Sequence, residues 1–219
     1  MEIIVKGTGT DFFTPDQVVL NLTFNEKAQN YNVALINGVN NVQKFIQEIL
    51  LKNDFSTDDM KTRNFVIKEN KRYDETSRKY FFDGFSFNQS ATLKFDYNKE
   101  KLANIMEQLS KLDGAPNCLI NFSVKNEKEC RKKVLSQAYS EAETQAHTIA
   151  EAAGKTLKQC MKVDFEPFST KYISNSRLGS ETVYKSALCS PDITSKLINT
   201  FTPEDITISE TLYCLWIAE

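Results

Sequence analysis

The segment KVLSQAYSEAETQAHTIAEAAGK, residues 133–155, predicts the longest helix of the chain and the way it packs. Its alanines recur at every fourth residue: Ala138, Ala142, Ala146 and Ala150. This spacing places four methyl groups on one helical face, which lets the helix lie close against a sheet or another helix. Asn126 with Glu129 is typical of a capping box at the start, and Gly154 suits the position after the end. We expect packing on the protein's own sheet, with an oligomer seam as the alternative.

Upstream of this helix, the period of the apolar residues switches between two and 3.6. The predicted order is strands at 2–6 and 16–24, a helix at 30–52, strands at 61–74 and 77–97, a helix at 99–112 and a strand at 118–125. Downstream, strands are predicted at 156–168 and 206–218. Residues 169–200 are rich in Ser and Thr, and we interpret them as an irregular excursion from the core, with one or two helical turns after Pro191.

This order, ββ-α-ββ-α-β-α-ββ, predicts an α+β fold with a largely antiparallel sheet covered on one face by helices. Residues 16–125 alone follow the β-α-β-β-α-β order of ferredoxin-like folds. No linker-like stretch separates the helices from their strands, so we predict a single domain spanning residues 1–219.

Two similar segments lead into the predicted strands at 16–24 and 206–218. TPDQVVLNLTF begins at Thr14, and TPEDITISETL begins at Thr202. In both, proline fixes φ at the entry to a strand, where its missing N–H does no harm. We interpret them as two strand entries rather than a duplicated domain, and we expect the edges of the long terminal strands to present unpaired backbone.

Composition excludes several classes of function. The 219 residues carry 27 basic and 29 acidic side chains, so no overall charge drives binding to nucleic acid or to an anionic membrane. The N-terminal MEIIVKGTGT lacks the pattern of a secretory signal, and no apolar run is long enough to span a bilayer. We therefore expect a cytoplasmic chain as given, or a periplasmic or envelope protein if a leader has been removed. Five widely spaced cysteines and one histidine favour reduced thiols over disulfides or a zinc site.

Several short motifs, taken in order, resemble the SIMPL-domain family, also described as periplasmic immunogenic protein-like. They are V-x-G-x-G before a P-D strand (Val5, Gly7, Gly9, Pro15, Asp16), D-x-x-T (Asp59, Thr62), Gly84-Phe85 opening a long strand, and the alanine helix ending at Gly154-Lys155. The resemblance implies an α+β domain that is often exported in bacteria, with oligomeric envelope proteins and eukaryotic members linked to the assembly of signalling complexes. It implies no catalytic residues.

Three features that can suggest chemistry have simpler explanations. Gly7 and Gly9 lead into a strand rather than a helix, so a bulge or bend in an edge strand is favoured over a phosphate loop. His147 shares its helical face with two glutamates, which favours a solvated side chain. Most cysteines occupy apolar strand positions, and Cys189 alone is a candidate for reactivity.

Polar clusters also have structural interpretations. Asp58-Asp59 and Glu204-Asp205 suit capping and strand entry rather than acid–base chemistry. The run 68–80 mixes basic residues and tyrosines, as in nucleic-acid binders, but its interleaved acids favour a solvated hairpin tip. The glycosylation-like motifs at Asn21, Asn88 and Asn121 lie in predicted strands.

The sequence therefore predicts a non-enzymatic SIMPL-like protein without cofactor, metal or catalytic residues, which acts by self-association or protein binding. Exposed sheet edges and the 169–200 excursion are the predicted contact surfaces. The alternative is a small-ligand binder or an enzyme whose site is assembled only in three dimensions.

Overall fold

The computed structural model describes residues 1–168 and 200–219 of the chain. The α+β class and the predicted order of elements are confirmed. The strands are β1 (Glu2–Phe13), β2 (Gln17–Ala28), β3 (Met60–Asp74), β4 (Lys79–Asp96), β5 (Asn117–Ser123), β6 (Leu157–Asp164) and β7 (Ile206–Ala218). The helices are α1 (Tyr31–Phe45), α2 (Lys99–Lys111) and α3 (Glu127–Ala152).

The strands form two antiparallel sheets where the sequence predicted one. The first has the order β1-β7-β6 and the second β3-β4-β2-β5. The chain divides accordingly into two compact units. Among the described residues, unit 1 comprises 1–14, 124–168 and 204–219, and unit 2 comprises 15–123 and 200–203. Pattern analysis locates strands but not their partners, which explains the difference. A single domain over 1–219 stays a prediction.

Unit 1 is a three-stranded sheet with α3 on one face. The four alanines predicted to share a face are fully buried there, together with Ile3, Val5 and Trp216. The prediction that this stripe packs on the protein's own sheet is therefore confirmed. Gly154 has φ +68°, which suits the residue after a helix. The predicted capping box is wrong: Asn126 caps with no side-chain bond, and its carbonyl instead accepts from the Glu129 amide.

Gly7 and Gly9 explain how α3 approaches the sheet so closely. A Cβ on Gly7 would lie 1.9 Å from the Ala138 carbonyl oxygen, and one on Gly9 would lie 1.9 Å from that of Val134. The predicted bulge at these glycines is wrong, because β1 pairs with β7 without a register shift from Glu2 to Phe13. The glycines make room for the helix backbone.

Unit 2 has the ferredoxin-like sheet order and a core of large side chains. Val18, Leu20, Leu22 and Phe24 alternate into this core from β2, and Phe45 of α1 meets Phe24 edge to face at 5.6 Å. The first helix departs from prediction near its end, because α1 continues as a π-helical turn at Ile46–Leu50 and a 3-10 turn at Leu51–Asn53.

Asn53 is the one buried polar side chain among the described residues. Its amide nitrogen donates to the Ile49 carbonyl and to Gln108 Oε1, both at 2.7 Å, and its oxygen accepts from Asn104 at 3.1 Å. These bonds join the irregular end of the first helix to α2.

Candidate interaction surfaces

The residues singled out in the sequence do not converge. His147 is exposed on α3, as predicted, and in residues 1–168 and 200–219 no three His, Cys, Asp or Glu side chains are placed to hold a metal ion. Cys118, Cys160 and Cys214 lie in strands and Cys130 in α3, all as free thiols. Burial raises the pKa of Cys118 to about 12 and that of Cys214 to about 11, which makes these thiols poor nucleophiles. Cys189 and the rest of 169–199 lie outside the described residues.

One member of each acidic pair has a local structural role. Ser56 and Asp59 form a capping box before β3, with the Ser56 amide 2.8 Å from Asp59 Oδ2. The two similar segments are both strand entries, since Pro15 precedes β2 and Pro203 precedes β7. Thr14 and Asp205 from these segments are themselves hydrogen bonded at 2.9 Å.

Unit 2 contains an open groove of about 840 Å³, lined by residues of β2, β3 and β4. Its lining is Asn25, Glu26, Lys27, Asn64, Val66, Lys68, Asn70, Lys71, Asp83, Ser86, Phe87 and Asn88. The glycosylation-like Asn88 donates to Asn25 at 2.5 Å and lies within β4. Amides and lysines dominate, so the groove suits hydrogen bonding to a polar ligand.

The two carboxylates of this groove are already engaged. Asp83 forms an ion pair with Lys27 at 2.6 Å, and Glu26 accepts from Asn41 at 2.5 Å. Acid–base catalysis by a pair of carboxyl groups needs both of them held near a reacting atom with different proton affinities. The groove does not supply that arrangement.

A two-stranded arm extends from the sheet of unit 2. β2 pairs with β4 only as far as Phe85, and beyond that point β4 has β3 as its single described neighbour. We define the arm as residues 71–82, in which Lys71 pairs with Phe82 and Asp74 with Lys79. Its turn is held by Asp74, which accepts from the Ser77 hydroxyl at 2.7 Å. The predicted hairpin tip is therefore confirmed.

An aromatic row follows one side of this arm and continues to the start of α1. It consists of Tyr80, Tyr73, Phe82, Phe85 and Tyr31. The ring centroids of Tyr73 and Tyr80 lie 5.0 Å apart, those of Phe82 and Phe85 5.4 Å, and those of Phe85 and Tyr31 5.7 Å.

The row is exposed to an unusual degree for aromatic side chains. Tyr80 is 71% exposed, Phe82 52%, Tyr73 47% and Tyr31 46%. Val33 and Ile36 extend the apolar surface along α1 with exposures of 46% and 57%. Contiguous exposed apolar surface is typical of sites that contact a protein, a membrane or a ligand, whereas scattered exposed residues are not.

Sequence reasoning found only part of this row. Tyr73 and Tyr80 stand out in the run 68–80, but their alignment with Phe82, Phe85 and Tyr31 is not visible in the sequence. The alignment depends on a register shift between Glu69 and Lys71 and on Gly84, which has φ +79° and lies within β4 rather than at its opening. The density of Phe and Tyr over residues 80–87 is the sequence signal that could have found it.

The sheets present four edges, and β7 is not one of them. We expected unpaired backbone on both terminal strands. Of the two, only β1 lies at a sheet edge, because β7 lies between β1 and β6. A final strand rich in apolar residues on both faces suits a central position, a signal that the sequence carried.

Three of the four edges carry features that oppose pairing with another chain. On β1, the Thr8 amide donates to Glu141 at 2.5 Å and the Phe12 amide to Asp11 at 2.9 Å. β3 carries five basic residues and two register shifts, and β6 carries Lys158, Lys162 and two register shifts. Charges and irregularities on an edge prevent strand addition.

The fourth edge, β5, has none of these features. Its sequence NCLINFS is uncharged, and it pairs with β2 in unbroken register from Ser123 opposite Gln17 to Asn117 opposite Thr23.

Comparison with known proteins decides the family. The family model SIMPL, described as a protein of unknown function (DUF541), matches residues 3–209. This chain belongs to the SIMPL family. The match includes the glycines of β1 and the alanine helix, and so confirms the resemblance drawn from the sequence. No curated protein matches this SIMPL chain. In the described part of the chain, no helix has the length and apolar character needed to cross a membrane.

Proposed function

We propose that this SIMPL protein acts through protein contacts, by self-association or by binding another protein, and that it catalyses no reaction. The observation that carries the proposal is the exposed aromatic row of the β3–β4 arm. A two-stranded ribbon is marginally stable in water by itself. Aromatic side chains that are more than half exposed on such a ribbon gain most from a partner that covers them, and aromatic residues dominate the binding energy of protein interfaces.

The charges of the arm and of the residues that flank it favour a protein over a polyanion. Residues 68–83 contain five basic and four acidic side chains, interleaved along the sequence. The acids Asp74 and Glu75 lie at the tip beside Arg78, so an approaching phosphate backbone would meet two carboxylates there as well as a basic side chain. A partner with mixed surface charge avoids this repulsion.

The proposal is tested with two variants of the same arm. Tyr80→Ser with Phe82→Ser removes two rings of the row, whereas Phe81→Ser removes a ring that the strand alternation places on the other side. Association is measured by sedimentation velocity of the purified chain, and binding of other proteins by quantitative capture from the native cell. We expect at least about a tenfold loss of association for the double variant and little change for Phe81→Ser. Equal behaviour of the two variants would contradict the proposal.

A second candidate function is the binding of a small polar ligand in the amide-lined groove. Lys68 and Asn64 contribute exposed polar groups to it, and no described residue is hydrogen bonded to either side chain. A ligand of this groove would shift the amide resonances of Asn25, Asn64 and Asn88 in an NMR titration while leaving those of the aromatic row in place.

A further inference from the structure

Strand β5 has unpaired backbone groups along its outer side. The Asp16 amide donates to the Ser123 carbonyl at 3.2 Å, so the backbone of Ser123 faces β2. Backbone groups alternate in direction along an antiparallel strand, and those of Cys118, Ile120 and Phe122 therefore face away from β2. Outside the β2–β5 ladder, no described residue is hydrogen bonded to these three amides.

From these features we infer that β5 is a pairing site for the β5 strand of a second copy of this chain. The inference deepens the proposed function, since it names a partner and a surface for self-association. It rests on the β5 edge and not on the arm, and the two can be tested apart.

Self-pairing of β5 satisfies its outward groups. In an antiparallel pair centred on Ile120, Cys118 of one copy lies opposite Phe122 of the other, and Ile120 lies opposite Ile120. Each outward N–H then meets an outward carbonyl, which gives about six intermolecular hydrogen bonds. On the face away from the helices, Leu119 lies opposite Asn121 and Asn117 opposite Ser123. No charged residue meets another charge, because β5 contains none.

Since the edges β1, β3 and β6 carry features that oppose pairing, the partner strand for β5 is the β5 strand of a second copy. Pairing of β5 with β1, β3 or β6 of another copy would be heterologous, and repeated pairing of that kind builds open fibres. The carboxylates on β1 and the lysines and register shifts of β3 and β6 oppose it. The β5–β5 pair is isologous, so the assembly closes at a dimer. Because the sheet of unit 2 has four strands, the dimer has a continuous sheet of eight strands.

Hydrogen exchange of the full chain tests this arrangement directly. The amides of Leu119 and Asn121 bond to β2 and should be protected at every concentration. Those of Cys118, Ile120 and Phe122 should exchange quickly in dilute protein and slow by at least about tenfold as the concentration rises through dimerisation. Rapid exchange of all three at high concentration would overturn the inference, and so would protection that does not change with concentration.

Two substitutions at one site provide the matched comparison. Leu119 is 43% exposed on the open face, so Leu119→Lys adds an edge charge without entering the core, and Leu119→Thr leaves the edge uncharged. In sedimentation velocity, we expect the lysine variant to raise the dimer dissociation constant by at least about tenfold and the threonine variant to stay close to the wild type.

Ile120→Pro, which removes one outward N–H, serves as a second variant, with circular dichroism to confirm that it folds. A dimer unaffected by Leu119→Lys and Ile120→Pro but lost in Tyr80→Ser/Phe82→Ser would overturn the β5 inference and leave the proposed function standing. A wild-type chain that is monomeric at all accessible concentrations would overturn the β5 inference and the self-association half of the proposal. The capture experiment would then decide whether the arm binds another protein.

Discussion

The two units cover their sheets in different ways. In unit 1, glycines on β1 and alanines on α3 bring a helix backbone within contact of a strand, and carboxylates satisfy two amides of the β1 edge. In unit 2, large aromatic and aliphatic side chains fill the core, while a row of similar side chains continues along the arm into solvent. Unit 1 therefore tolerates little added volume, and unit 2 depends on the volume it has. The exposed aromatic row belongs to unit 2.

The largest effect should come from removing volume in unit 2. Phe45 is fully buried against Phe24, so Phe45→Ala leaves a cavity in the core. We expect a loss of about 3–5 kcal/mol in the free energy of unfolding, measured with urea on the full chain. Phe45→Leu keeps most of the volume and should cost clearly less. Equal losses for the two variants would show that this core is not limited by volume.

Adding volume in unit 1 should have the next largest effect. Gly7→Ala places a methyl group against the Ala138 carbonyl, and we expect a loss of about 3 kcal/mol by the same unfolding measurement. Gly154→Ala is the control, because its Cβ would meet nothing within 4 Å and only its positive φ opposes the change. That control should cost about 1 kcal/mol. A smaller loss at Gly7 than at Gly154 would contradict the close approach of α3.

The buried Asn53 tests a polar contact within the otherwise apolar unit 2. Asn53→Ala removes its bonds to Ile49 and Gln108 and leaves their oxygens without those donors. We expect destabilisation by about 2 kcal/mol in thermal or urea unfolding. Exposed Asn40 on α1 is a matched control, and its replacement by alanine should leave stability within about 0.5 kcal/mol of the wild type.

The smallest effect concerns the pH dependence of unit 1. The Lys133 ammonium, 2.7 Å from Asp11, and the Phe12 amide lower the pKa of the Asp11 carboxyl below its ordinary value of 3.8. A carboxyl with a lowered folded-state pKa contributes stability above its unfolded pKa and loses it as pH falls through the folded value. Unfolding midpoints measured from pH 6 down to below pH 4 should therefore fall slightly less in Lys133→Met than in the wild type. A steeper acid loss in that variant would contradict the sign.

Much of the fold could be predicted from the sequence because its signals are local. The alternation of Val18 to Phe24, the alanine spacing of α3 and the Gly154 stop depend on neighbouring residues and appear in the structure as predicted. Sheet membership depends on residues far apart in sequence, so the split into two sheets could not be predicted, whereas the apolar residues on both faces of β7 do indicate a central strand. The role of Gly7 required knowledge of which helix lies above it.

The candidate surfaces were less accessible to prediction. Whether an edge can pair with another chain depends on side chains from other elements. Glu141 of α3, for example, accepts a hydrogen bond from an amide of β1. The aromatic row needs the register shift at Asn70 to align Phe82 with Phe85. Sequence alone therefore predicted contact through edges in general, and only the structure distinguishes β5 and the arm from the rest.

Site-specific photo-crosslinking in the native cell tests the central claim most directly, since it does not require the partner to be known. A benzoylphenylalanine is placed at Phe82 on the aromatic row or at Phe81 on the opposite side of the arm. We expect a discrete adduct with a protein, either a second copy or another chain, from position 82 and little or none from position 81. No adduct at position 82, or equal yields at the two positions, would contradict it.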